Sequence, residues 1–122
     1  MQTFFDAYVE CALWSSTANH PDDPDSDASF ESAGYGADDI APDALKSMQA
    51  DCDAFYQANN ELIDANMTAE QAGRDFWLTR NHHGAGFWDR GLGEVGETLT
   101  KAAHGFGSSD LYVGDDGNVY VS

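Results

Sequence analysis

Residues 72–91 read A-G-R-D-F-W-L-T-R-N-H-H-G-A-G-F-W-D-R-G, and they constrain the fold more than any other stretch. They hold Trp77 and Trp88, the three arginines Arg74, Arg80 and Arg90, the adjacent His82 and His83, and a dense set of glycines. Large rings favour burial, while Gly84, Gly86 and Gly91 let the backbone turn tightly around them. Two readings follow. In the first, the segment is a structural corner, closed by Phe76, Trp77, Phe87 and Trp88, with Asp75 and Asp89 pairing with Arg80 and Arg90. In the second it is a recognition surface on which Trp77, Trp88 and Arg90 act as hot-spot residues.

The flanking sequence supplies helices. Thr68 and Gln71 have capping-box spacing and start a helix that runs to about Asn81. Within it, Trp77 sits about 100° around the axis from Phe76, so both rings are not expected in one core slot; one of them should roof the following loop. Gly73 weakens this helix by about 1 kcal/mol relative to Ala and leaves room for a second backbone. Upstream, Pro42 is placed for a first helical turn, and Leu45, Met48, Cys52, Phe55, Tyr56, Asn59, Leu62 and Ile63 recur at helical spacing in a helix running to about Asn60 or Ile63. A first helix over 3–16 turns Phe5, Tyr8, Val9, Ala12 and Leu13 inward, with Asp6 and Glu10 on another face. A fourth, from about 92 to 103, carries Leu92, Val95 and Leu99.

The tail reads as a hairpin. A three-residue Asp115-Asp116-Gly117 loop with Gly117 left-handed pairs Val113 with Val119 and Tyr112 with Tyr120, giving an aliphatic face and a tyrosine face. The expected fold is therefore α+β and mainly helical. About four helices pack around the Trp/Gly-rich corner, with a C-terminal two-stranded antiparallel hairpin, in one domain spanning 1–122.

Charge narrows the function. With 22 acids against 5 Lys and Arg, the chain carries −17, which repels nucleic acid phosphate and argues against direct nucleic-acid binding. The first 64 residues hold fourteen of those acids and a single cation, Lys46. Part of the excess lies in a Pro-, Asp-, Ser- and Gly-rich stretch at about 19–39, expected to be a long acidic loop tethered by Phe30 and Tyr35. Asp23, Asp25 and Asp27 alternate like the start of a calcium loop, but Ala28 and Gly34 stand where such a loop needs Gly and Glu. The helical acids Asp43, Asp51, Asp53, Glu61 and Asp64, with Asp6 and Glu10, have too few cations to form a lattice of pairs. They read as a solvated face or one turned to a basic partner. No stretch approaches the roughly 20 apolar residues of a membrane span. The start M-Q-T-F-F-D lacks the cationic region of an export signal, so cytosol is the expected setting.

Catalytic and metal motifs are thin. Cys11 and Cys52 are isolated and read as buried reduced thiols. Adjacent His82 and His83, with His20 and His104 far off in sequence, do not present converging metal ligands, and neither metal nor cofactor is expected. No serine sits in a nucleophile elbow, and G-A-G-F is no dinucleotide fingerprint. His83 as general acid–base oriented by Asp89 is the enzymatic alternative.

Residues 72–91, with A-L-W-S-S at 12–16, Y-G-A-D-D-I-A-P at 35–42 and D-L-Y-V-G-D-D-G at 110–117, resemble a family of small acidic proteins of tailed bacteriophages and prophages. Gly73, Asp75, Phe76, Trp77, Arg80, Asn81, His83, Gly84, Gly86, Trp88, Asp89 and Arg90 fill that family's motif A-G-x-D-F-W-L-T-R-N-x-H-G-A-G-F-W-D-R-G. The departure is His82, where members usually have Gly; its β-carbon argues against an obligatory left-handed backbone there. The resemblance implies a phage gene product. Small phage proteins this acidic are sometimes inhibitors of host defence, anti-CRISPR proteins and DNA mimics among them. Joined to the charge argument, this leads to an expected function as a non-enzymatic inhibitor in the cytoplasm of the infected host cell. It would bind a host defence protein at a basic nucleic-acid-binding surface, through Asp6, Glu10, Asp43, Asp51, Asp53, Glu61 and Asp64. The alternatives are a small hydrolase or other enzyme at His83 and Asp89, and a phage accessory or structural protein.

Overall fold

A computed structural model describes residues 2–16, 29–30, 34–82 and 86–121. Four helices, α1 (Gln2–Ser15), α2 (Pro42–Asn66), α3 (Ala69–Arg80) and α4 (Glu94–His104), are followed by the antiparallel strands β1 (Leu111–Val113) and β2 (Val119–Val121). Short 3-10 turns at Ala37–Asp39 and Phe87–Asp89 complete the order. The mainly helical fold with a terminal hairpin is the one the sequence leads one to expect.

The core is aromatic. Phe55 of α2 and Phe76 of α3 stack with centroids 4.2 Å apart; Phe87 stacks on Phe55 and Phe106 meets Phe76 edge-on at 5.2 Å. Phe4 and Tyr8 of α1 join this cluster, and Trp77 lies edge-on to Tyr8 at 5.4 Å. Phe76 and Trp77 are both buried, so the expectation that one would roof the loop is corrected. The two rings leave α3 in different directions, and α1 covers the second. The Trp77 indole N–H is satisfied by Ser15 Oγ at 3.0 Å, as a buried indole requires.

Helix α1 can reach α3 so closely because of Gly73. A β-carbon there would collide with the Phe4 carbonyl oxygen, so the residue that weakens the helix in isolation is the one that permits the packing. Burial extends over most of α1, including Phe4, Ala7, Tyr8, Cys11 and Ala12, and leaves Thr3, Asp6, Glu10 and Trp14 exposed. Phe5, expected inward, is half-buried at the edge.

Element ends follow local chemistry. Thr68 caps α3 by accepting from the Gln71 backbone N–H at 3.1 Å. The Gln71 side chain donates to Asp75 rather than turning back, so the cap is one-sided. Helix α2 runs a few residues past the expected end, to Asn66. Helix α4 starts at Glu94, not Leu92, because Gly93 takes φ 60.

The hairpin adopts the expected register, Val113 opposite Val119 and Tyr112 opposite Tyr120, with Gly117 at φ 84. Val119 is buried and Leu111 nearly so, while Tyr112 and Tyr120 stack on the outside at 5.8 Å. Tertiary structure adds a parallel bridge from Ile40 to Val119, and the Ala41 N–H donates to the Val119 carbonyl at 2.8 Å. These bonds fix the hairpin to the segment that enters α2. Phe30 is buried against Tyr35 at 5.7 Å; of the acidic stretch at about 19–39 the structure describes only residues 29–30 and 34–39. Asp23, Asp25, Asp27 and Ala28 lie outside the described residues.

Candidate functional site

The Trp/Gly-rich corner is chiefly structural, and Arg80 shows why. Its guanidinium is buried, and it donates to Tyr8 Oη (3.0 Å), Asp51 Oδ2 (2.9 Å) and the carbonyls of Gly107 (2.9 Å) and Phe106 (3.1 Å). It also lies 5.4 Å from the centroid of Phe76, where the ring quadrupole favours a cation. Planar, forked donors suit such a semi-buried junction. Asn81 extends the clasp: its Oδ1 accepts the Ser109 N–H at 2.7 Å, fixing the chain between α4 and β1 to the end of α3. Burial pushes the Tyr8 hydroxyl above its ordinary range, against the opposing pull of Arg80.

On the other side of α3, the fully buried Asp75 receives Gln71 (2.9 Å) and two donors of Arg90 (2.8 and 3.3 Å). Asp89 accepts the Gly86 N–H at 3.0 Å and lies 3.8 Å from Arg90, so its carboxylate closes the Phe87–Asp89 turn. The Phe87 N–H donates to Thr79 Oγ1 at 3.1 Å, and a β-carbon at Gly86 would collide with that hydroxyl. His82 is left-handed at φ 57, which overturns the expectation drawn from its β-carbon; its ring stacks on His104 with centroids 4.3 Å apart. His83, the acid–base candidate, lies outside the described residues.

The hot-spot expectations divide. Trp77 is 1% exposed and cannot contact a partner, because α1 covers it. Trp88 is 54% exposed, so Phe87 alone anchors the turn. Arg90 is committed to Asp75 yet keeps 38% of its side chain exposed.

The seven candidate carboxylates fall into three groups. Asp51 is engaged within the fold: its Oδ2 accepts from Arg80 at 2.9 Å, while its side chain stays 37% exposed. Asp43, Asp53, Glu61 and Asp64 share the arc of α2 turned away from its buried line of Ala44, Met48, Cys52, Phe55 and Ile63. Within that arc Asp53 accepts from Gln49 (2.8 Å) and Asp64 from the Tyr56 hydroxyl (2.7 Å), and this bond raises the Tyr56 pKa. Asp6 and Glu10 form the third group, on the exposed edge of α1.

That edge holds a residue the sequence reading missed. Trp14, 48% exposed, stands four residues beyond Glu10 and eight beyond Asp6, in line with both. The signal was present, since placing Asp6 and Glu10 outward also places position 14 outward, but aromatic residues are expected to face inward. Beside this edge runs a groove of about 420 Å³, walled by Phe5, Val9 and Leu13 of α1 and by Tyr35 and Leu45 opposite, with Asp6 and Glu10 at its rim. On the other flank of the same acids a more polar groove of about 380 Å³ includes Glu70 and Arg74.

Thiol chemistry is not favoured by either cysteine. Burial pushes the Cys11 thiol up to about 12, and Cys52 rises further for the same reason. Among the described residues, no three His, Cys, Asp or Glu side chains are placed to hold a metal ion. Among them also, no helix is long and apolar enough to cross a membrane. No family model, curated protein or solved structure matches the chain.

Proposed function

We propose that this protein is a non-enzymatic, phage-encoded inhibitor. It acts in the cytoplasm of the infected host cell and binds a nucleic-acid-binding defence protein at that protein's basic surface. The observation that carries the reading is where the cations go. Of the five Lys and Arg, Arg80 is spent inside the fold on Asp51 and Tyr8, and Arg90 on the buried Asp75. Each takes one carboxylate with it, so the net charge of −17 is left on the remaining 20 acids, with only Lys46, Arg74 and Lys101 to offset them. The α2 arc extends from Asp43 to Asp64, about 30 Å along the axis. Four carboxylates over that length are far sparser than the charge of a DNA duplex, about one per 1.7 Å. The arc therefore supplies long-range attraction and orientation to a basic surface rather than replacing phosphates one for one.

The test is capture of host proteins on the immobilised protein, followed by competition between this protein and duplex DNA for whatever is captured. Capture should weaken steeply between about 50 mM and 200 mM salt. It should also weaken in the D43K/D53K/E61K variant, and the bound protein should lose its DNA. Capture indifferent to salt and to these reversals, or a captured protein that keeps its DNA, would sink the proposal.

A further inference from the structure

The groove alongside α1 is more specific than a field of charge. Phe5, Val9 and Leu13 recur every four residues in a row along about 12 Å of the helix. Val9 and Leu13, 4% and 6% exposed, are the groove's closed inner wall, and half-buried Phe5, Tyr35 and Leu45 give it accessible apolar surface. Asp6, Glu10 and Trp14 each follow one residue later, forming a second row parallel to the first and turned further outward. An apolar row flanked by an acidic row ending in an exposed tryptophan is the complement of one kind of ligand. That ligand is a helix with apolar side chains at i and i+4 and with lysine or arginine one position to the side.

We infer that this groove is the seat for a cationic amphipathic helix of the partner protein. The apolar face would enter between α1 and the wall formed by Tyr35 and Leu45, the cations would meet Asp6 and Glu10, and Trp14 would cap the end as the hot-spot contact. Charge complementarity selects this occupant. A second copy of the chain would bring another −17 to the acidic rim, and only Lys46, Arg74 and Lys101 could oppose it. Nucleic acid and anionic lipid carry the wrong sign as well. The inference rests on the reading of the protein as a binder of a basic partner and adds to it the location and the form of the recognised element.

The experiment titrates the full-length protein with a synthetic, end-capped peptide of about 18 residues, long enough to gain helicity on docking. Leucines are spaced i, i+4 along one face and lysines flank them; a second peptide has the same composition in scrambled order. Binding is read by amide chemical shifts and by calorimetry against wild type, E10K/W14A and the α2-arc variant D43K/E61K, each first shown to be folded by circular dichroism. Glu10, Trp14, Asp43 and Glu61 are all exposed, so these substitutions leave the core in place. The expected result is binding of the patterned peptide with shifts confined to α1, Tyr35 and Leu45. E10K/W14A should lower its affinity by about 30-fold, the size of one hot spot, and D43K/E61K should lower it by no more than about threefold.

Equal binding of the scrambled peptide, equal losses in both variants, or shifts lying on α2 would overturn the groove while leaving a basic partner in place. Absence of binding by the patterned peptide, with salt-sensitive capture of host protein intact, would likewise reject the groove alone. Loss of that salt-sensitive capture is the separate result that rejects the parent reading.

Discussion

Arg80 and Gly73 each reverse what their residue type suggests. An arginine in so acidic a chain would ordinarily be a surface counter-charge, but Arg80 is buried and joins α1, α2, α3 and the chain after α4 through Tyr8, Asp51, Phe106 and Gly107. Replacing it with Met should cost about 3–5 kcal/mol, because several acceptors lose their donor in the interior. Asp51→Asn should cost less, about 1 kcal/mol, since Asp51 is 37% exposed and water replaces part of the lost interaction. Equilibrium urea denaturation of the two variants checks both values and their order. Gly73→Ala would gain about 1 kcal/mol in an exposed helix. Here it should lose about 1–3 kcal/mol, because the new methyl meets the Phe4 carbonyl and α1 must shift. A stabilised Gly73→Ala protein in the same denaturation assay would show that α1 and α3 are not held at this distance.

Among the elements, local sequence chemistry succeeded where a bond or a turn lies within a few residues. The hairpin register followed from matching like faces and from Gly117, whose φ of 84 an alanine adopts only with strain. Gly117→Ala should therefore cost roughly 1–2 kcal/mol, seen as a lower denaturation midpoint with unchanged slope. Thr68 was equally readable, since the residue it caps is three positions away. The fate of the two rings at 76 and 77 was not, because helical geometry tells only that they diverge. Whether the second direction is solvent or protein depended on α1, some sixty residues earlier in the chain, whose Tyr8 and Ser15 receive Trp77. The exposure of Trp14 is the converse case: the helical repeat put it outward with the acids, and none of the described elements folds over it.

At the scale of the whole molecule, burial of protonated groups sets a pH response. The Cys11 thiol is raised from 9.0 to about 12, and Cys52 and Tyr8 are also raised, all chiefly by loss of solvent. Above about pH 9 the unfolded chain releases these protons while the native state keeps them. The native state then binds more protons, so stability is fully present below that pH and falls as pH rises toward the folded values. Urea midpoints measured from pH 7 to about 11 should stay level and then decline, with a shallower decline in Cys52→Ala; a flat profile would show that these groups ionise as readily in the fold as out of it. By itself the sequence determined the helices, the hairpin and its register and the sign of the surface, because each depends on periodicity, capping, turn chemistry or summed charge. Only the tertiary structure decided which acid neutralises Arg80, which tryptophans reach solvent, and that a groove lined by Phe5, Val9 and Leu13 runs beside Asp6 and Glu10. Those outcomes depend on which distant segment covers which face, and the patterns within a single helix carry no record of that.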